Sequence, residues 1–162
     1  MSLRKAFEHD IPLIRDMAYR IWPTAYGGII SKEQIDYMLN TMYSETSLAS
    51  QMRNGNEFLL AYDGVEAVGF ASVGLLEGSI YKLHKLYVLP SQHGRGTGRF
   101  LVDAIVKAAK NKGGTAIRLN VNKNNPAVGF YEKIGFVKIY DEVLDIGNGY
   151  VMDDYVMEKS LL

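Results

Sequence analysis

Residues 86–98 run Leu86-Tyr87-Val88-Leu89-Pro90-Ser91-Gln92-His93-Gly94-Arg95-Gly96-Thr97-Gly98, and the fold turns on how they are read. An apolar run, Ile80 to Leu89, is extended and stops at Pro90. Three glycines at alternate positions then make a loop, and a helix opens after them. In that helix Arg99, Asp103, Lys107 and Lys110 lie on one side, while Phe100, Leu101, Val102, Ala104, Ile105, Val106, Ala108 and Ala109 cover the rest. So wide an apolar surface calls for a sheet to pack on. Gly113-Gly114 ends the helix, and Ile117, Leu119 and Val121 form the next strand. The stretch is one β-α-β crossover.

Working outward, Glu57–Tyr62 and Glu66–Leu76 are apolar runs joined by Asp63-Gly64, a strong hairpin signal. Towards the start, Leu3–Ala6 reads as a short strand. Ile11, Leu13, Ile14, Met17, Ala18 and Ile21 recur at helical spacing behind Asp10 as N-cap and Pro12 in the first turn. A loop through Pro23 and Gly27-Gly28 is expected before a second helix capped at Ser31, with a shorter helical piece at Ser47–Met52. Towards the end come a short helix from Asn125 to Ile134, closed by Gly135, and strands Phe136–Leu144 and Tyr150–Glu158 about the turn Gly147-Asn148-Gly149. Helices first, then an antiparallel run, then one crossover give a mixed α/β (α+β) layer, not a doubly wound nucleotide fold.

Three glycines between a strand and a helix let several backbone N–H groups converge, and the helix start adds partial positive charge. Such a nest suits a phosphate or pyrophosphate. Spacing alone equally allows an ordinary tight turn. The P-loop is excluded because Gly98 is followed by Arg99-Phe100 rather than Lys-Ser/Thr, and the dinucleotide fingerprint fails at Arg99 and has no acid near Arg118 and Asn120.

The strand ending Val88-Leu89-Pro90, the loop His93 to Gly98, and Asn124-Asn125-Pro126-Ala127-Val128-Gly129-Phe130-Tyr131-Glu132-Lys133-Ile134-Gly135-Phe136 together resemble the GCN5-related N-acetyltransferases (GNAT). The motifs span Leu83 to Phe136. His93 departs from the pattern, standing where the family usually has Arg or Gln. The resemblance implies a central, mostly antiparallel sheet with helices on both faces. It also implies acetyl-CoA as cosubstrate, held in a V-shaped opening between Leu86–Val88 and Arg118–Val121. The cofactor-binding residues it implies are Leu86, Tyr87, Val88, His93, Gly94, Arg95, Gly96, Thr97, Gly98, Asn120, Asn124 and Tyr131. The backbone of Leu86 and Val88 would hold the pantetheine arm, the glycine loop the pyrophosphate, and Asn124 and Tyr131 the end of the arm.

Amide formation from a thioester needs a neutral amine, a stabilised oxyanion and a proton for the leaving thiolate. A lysine-like amine with pKa ~10.4 is neutral in only roughly one molecule per 2,500 at pH 7, so a proton acceptor helps. Tyr131, a phenol that stays protonated at neutral pH, is the expected general acid. On spacing alone Phe130 and Tyr131 would pass for core aromatics. His84, on the strand leading to Val88 where the family often carries a carboxylate, reads as the candidate base, or as a strand histidine simply hydrogen-bonded in place. The backbone N–H near Val88 can meet the oxyanion. His93 reads as a loop residue and His9 as surface.

Composition bounds the partners. With Lys+Arg 18 against Asp+Glu 18 the formal charge is zero, which argues against a nucleic-acid partner. There is no Cys, and three histidines lack paired ligand spacing, so no metal is expected. No apolar run approaches the ~18–20 residues that cross a bilayer, and Met1–Lys5 runs into Phe7, Glu8, His9 and Asp10 rather than an apolar segment. A single domain over residues 1–162, cytoplasmic and off the membrane, is the expectation, with edge-to-edge homodimerisation open to the C-terminal strands. For the acceptor, Asp141, Glu142, Asp145, Asp153, Asp154 and Glu158 read as an acidic wall for a cationic amine, or as a solvated hairpin. Trp22, Tyr26, Tyr37, Met38 and Tyr43 read as an apolar or cation–π lip, or as core. A small amine such as a polyamine is the leading acceptor. Protein or peptide N-acetylation and a non-catalytic CoA-binding module are the alternatives.

Overall fold

The computed structural model describes residues 1–162. β1 (Ser2–Lys5) leads through a 3₁₀ turn at Glu8–Asp10 into α1 (Ile11–Tyr26), α2 (Lys32–Met42) and α3 (Glu45–Arg53). β2 (Glu57–Asp63), β3 (Glu66–Glu77) and β4 (Ile80–Val88) follow as a meander. α4 (Thr97–Asn111) crosses to β5 (Ala116–Asn122), and α5 (Ala127–Lys133) precedes the hairpin of β6 (Val137–Gly147) and β7 (Tyr150–Ser160). The strands make one seven-stranded sheet in the order β1-β2-β3-β4-β5-β7-β6. All neighbours are antiparallel except β4 and β5.

Both faces of the sheet are covered, and β2 shows why its sequence is apolar throughout. Phe58 and Leu60 join the core formed with α1, α2 and α3, while Leu59 and Ala61 join the opposite core under α4 and α5. Successive side chains alternate faces, so a strand buried on both sides keeps no polar register. α4 adds Leu101, Val102, Ile105 and Ala109 to the second core, as its wide apolar surface predicts. Ser31 caps α2 by accepting from the N–H of Gln34 at 3.1 Å, and Ser44 caps α3 from Ser47 at 3.1 Å.

Two expectations near the start are corrected. Pro23 lies inside α1 rather than in a loop; the helix runs on to Tyr26 because Trp22 and Tyr26 are buried, their rings 4.6 Å apart, and hold the last turn. Burial outweighs the one hydrogen bond a proline forfeits. Asp10 occupies the N-cap position of α1, but its side chain makes no capping hydrogen bond to that helix. Its carboxylate accepts both guanidinium nitrogens of Arg4, at 2.8 and 3.0 Å, and the N–H of Phe7. Those bonds, Arg4's first, hold its pKa below the usual carboxylate value.

The feature that shapes the site lies in β4. Ser72 pairs with Lys85 and Val73 with Leu83, so His84 is an extra residue with no partner, a β-bulge. On its other side β4 pairs with β5 only from Ile80 to Lys82 against Ala116 to Arg118. From Leu83 and Leu119 onward the two parallel strands part. A bulge bends its strand and increases its twist, which accounts for the divergence.

Candidate active site

The parted strands bound an opening, and their hydrogen-bond phase decides what faces it. Leu89 N donates to Val68 O at 2.9 Å, so Leu89 is in a hydrogen-bonded pair with β3. Alternation then gives Tyr87 to β3, paired with Phe70, and turns the N–H and C=O of Leu86 and Val88 away from β3 towards the opening. Tyr87 differs from its neighbours: its backbone serves β3 and its hydroxyl bonds that of Tyr26 at 2.8 Å. It braces the strand against α1. The opening also begins later than expected on β5, because Arg118 is still paired with Lys82.

Where β4 ends, the glycine loop leads into α4. Gly94 and Gly96 have φ of +79° and +81°, and nothing lies within 4 Å of where their Cβ atoms would be. The left-handed region and the free space both favour glycine here. The N–H groups of Gly94, Gly96, Thr97, Gly98 and Arg99 find no acceptor within the protein; Phe100 is the first to bond back, to Gly96 O. Thr97 is buried and its Oγ1 lies 3.4 Å from Oε1 of buried Gln92, so the side chain braces the loop and only its N–H is offered. His93 is exposed, and Arg95 stands 3.8 Å from Asp63 with both side chains more than half exposed.

Tyr131 projects from α5 and is 8% exposed, packed edge-on against Phe130 and Phe136. Its hydroxyl makes no hydrogen bond to the protein. Burial raises its pKa well above the usual phenol value, with the nearby Tyr26 adding to the rise. Asn124 follows β5 with its side chain exposed and its N–H held by Asn122 Oδ1 at 2.9 Å. His84 stands exposed on the face that carries α1 to α3. Its pKa is lowered to about 4, by partial desolvation first and then by the cationic Lys82 and Lys85. Lys85 itself is lowered to about 8 by burial and by Lys82; its Nζ donates to Gln51 Oε1 at 2.7 Å and lies over the rings of Tyr43 and Phe58.

The acidic hairpin looks different once folded. Glu158 bonds Arg118 at 2.6 Å, Asp141 meets Lys138 and Lys123, Asp153 meets Lys123, and Asp145 accepts the N–H of Gly147. Cations from neighbouring positions in β5, β6 and the loop after β5 break the wall. Two acids remain, Glu142 and Asp154, directly opposite each other across β6 and β7. Both accept from Asn120 Nδ2, at 3.1 and 3.3 Å. Asn120 is thereby engaged with the two acids. Asp154 is 3% exposed, its Oδ1 has no partner, and burial raises its pKa. Of the side chains read as lip or core, Trp22, Tyr26, Met38 and Tyr43 are core, and Tyr37 packs on Tyr150 while donating to Ile146 O.

A family model described as an acetyltransferase (GNAT) domain matches residues 29–159. The chain belongs to the GNAT acetyltransferase family. Spermidine N(1)-acetyltransferase of Thermoplasma acidophilum is 28% identical over 167 residues, spanning 99% of this chain and 97% of that one. The PaiA N-acetyltransferase from the same organism, solved in complex with coenzyme A, superposes with a TM-score of 0.84 at 27% identity, covering 98% of each chain. A GCN5-related N-acetyltransferase from Rhodopseudomonas palustris also reaches 0.84, at 26% identity over 98% of this chain and 94% of that chain.

This acetyltransferase is acyl-CoA-dependent, with acetyl-CoA as cosubstrate. Its residues fit that group: within six consecutive residues at the start of α4 five N–H groups lack a protein acceptor, two glycines there leave open space, and an unpaired strand edge adjoins, the donors and room that a pyrophosphate needs. No helix of the acetyltransferase is long and apolar enough to cross a membrane. Two features of its site escaped the sequence reading. The His84 bulge has no local signal, since it exists only in the register between β3 and β4. The bond between Tyr26 and Tyr87 joins residues 61 positions apart.

Proposed function

We propose that the protein acetylates a small cationic amine, a polyamine being the leading candidate, by direct attack while amine and acetyl-CoA are bound together. The observation that carries this reading is the pair Glu142 and Asp154, two hairpin acids that face each other across β6 and β7 with no cation bonded to either, on the same sheet that opens between β4 and β5. The likeness to a spermidine N(1)-acetyltransferase supports the acceptor class.

Acetyl-CoA supplies an activated acetyl group as a thioester. In the proposal the N–H groups of Gly94, Gly96, Thr97, Gly98 and Arg99 hold its phosphates, and the edges of Leu86 and Val88 hold the arm, with Asn124 alongside. His93 and Arg95, both exposed at the loop's rim, flank that cradle. The Val88 N–H, turned into the opening, donates to the carbonyl oxygen as negative charge develops there. Tyr131 Oη, protonated at neutral pH, gives its proton to the leaving sulfur. His84 is the proton acceptor; with its pKa near 4 the ring is already neutral across physiological pH and contributes no inflection near 6.5 to the rate.

Calorimetric titration with acetyl-CoA, CoA, NAD and ATP, followed by an acetylation screen led by polyamines, tests the reading. Selective binding of the CoA pair and turnover on polyamines is the expected result. CoA binding with turnover on peptides alone would replace the acceptor, and absence of CoA binding by folded protein would remove the loop assignment.

A further inference from the structure

Two carboxylates that share one neutral amide donor are an incomplete arrangement. Glu142 is half-buried, Asp154 is almost wholly buried, and Asn120 Nδ2 is the one hydrogen-bond donor that side chains supply to either. Asp154 Oδ1 is left with nothing, although buried carboxylate oxygens are ordinarily satisfied. The other charged or titratable groups facing Asp154 do not complete it. Lys82 on β4 is near enough to act on its charge but makes no bond to it, Asp153 is committed to Lys123, and Tyr26 on α1 is committed to Tyr87. What is missing is a positively charged group with several N–H donors. A metal ion is a poorer match, because no cluster of three or more ligating side chains exists.

We propose that Asp154 and Glu142, bridged by Asn120, bind a protonated nitrogen of the acceptor other than the one that is acetylated. The inference rests on the small-amine reading above and narrows it to diamines and polyamines. The chemistry decides which nitrogen belongs here. Carboxylates stabilise an ammonium and raise its pKa, whereas the attacking nitrogen must be neutral. A site built from two acids therefore suits the nitrogen that does not react. Glu142, half-buried, meets the ligand first and Asp154 forms the floor.

The site can be read without turnover. In CoA-saturated protein labelled with ¹³C at aspartate side-chain carboxyls, the Asp154 signal is assigned by its loss in Asp154→Asn. Spermidine should shift it saturably, and n-butylamine at equal concentration should not. Kinetically, Asp154→Asn and Glu142→Gln should each raise KM for spermidine about tenfold or more while CoA affinity is unchanged. An Asp154 signal indifferent to spermidine overturns the site, whether or not the protein acetylates spermidine. An equal response to n-butylamine overturns the two-nitrogen requirement. A saturable spermidine shift with no acetylation of any amine keeps the site and removes the small-amine transferase reading instead.

Discussion

The acid and base roles proposed for Tyr131 and His84 make opposite proton demands, and their environments separate the two groups. Burial raises the phenol and, with two lysines, lowers the imidazole, so at pH 7 one holds its proton and the other has none. Tyr131→Phe should lower kcat about a hundredfold or more while calorimetry finds CoA affinity unchanged; full turnover in that variant would remove the acid role. His84→Ala should lower kcat/KM about tenfold, the low end for a base so weak, and the loss should be uniform from pH 6 to 8. An inflection near 6.5 that disappears in the variant would show instead that the ring titrates normally. At this scale the sequence told most about Tyr131, and it did so through the motif around it; spacing alone made it a core aromatic, which its burial also makes it. Asp154 was legible only as one acid among six. Its distinction depends on Lys123, Lys138 and Arg118 reaching Asp141, Asp153 and Glu158, and those pairings exist only after β5, β6 and β7 align.

Strands and loops, taken as elements, explain why the residues proposed to hold the cofactor divide as they do. β4 gives alternate backbone groups to β3 and to the opening, so proline should act differently at adjacent positions. Val88→Pro removes an N–H that faces the opening and should cost about a hundredfold in kcat with CoA still bound. Tyr87→Pro removes a ladder bond and the Tyr26 contact, and should lower the melting temperature. If both variants melt alike and both bind CoA normally, the phase assigned to β4 is wrong. The glycine loop makes its own prediction: Gly96→Ala, at φ +81°, should cost about 1–2 kcal/mol in stability and weaken CoA binding through displaced N–H groups. The crossover and loop were readable because period, proline and glycine all agree there. The end of α1 was not, since Pro23 signals a break locally and the burial of Trp22 and Tyr26 overrides it.

For the whole molecule, a buried acid without a full set of donors opposes folding, and the sign can be worked out. The native pKa of Asp154 lies above its unfolded value, so the native state binds more protons and stability falls as pH rises from about 4 through that raised value. Asp154→Asn removes the term. Thermal melts should show the variant gaining on the wild type as pH rises, and spermidine should narrow the gap by stabilising only the wild type; a gap independent of pH would mean the carboxyl is compensated. The sheet itself carries a further consequence. Strands β1 to β4 and strands β5 to β7 are joined by three register pairs, all at one end. Mechanically that is a hinge with a short pin, and a molecule lying between the free ends acts as a clasp. Amides of Leu119 to Val121 and of Leu86 and Val88 should therefore exchange with solvent in step with one another when the clasp is absent, and slow together when CoA closes it.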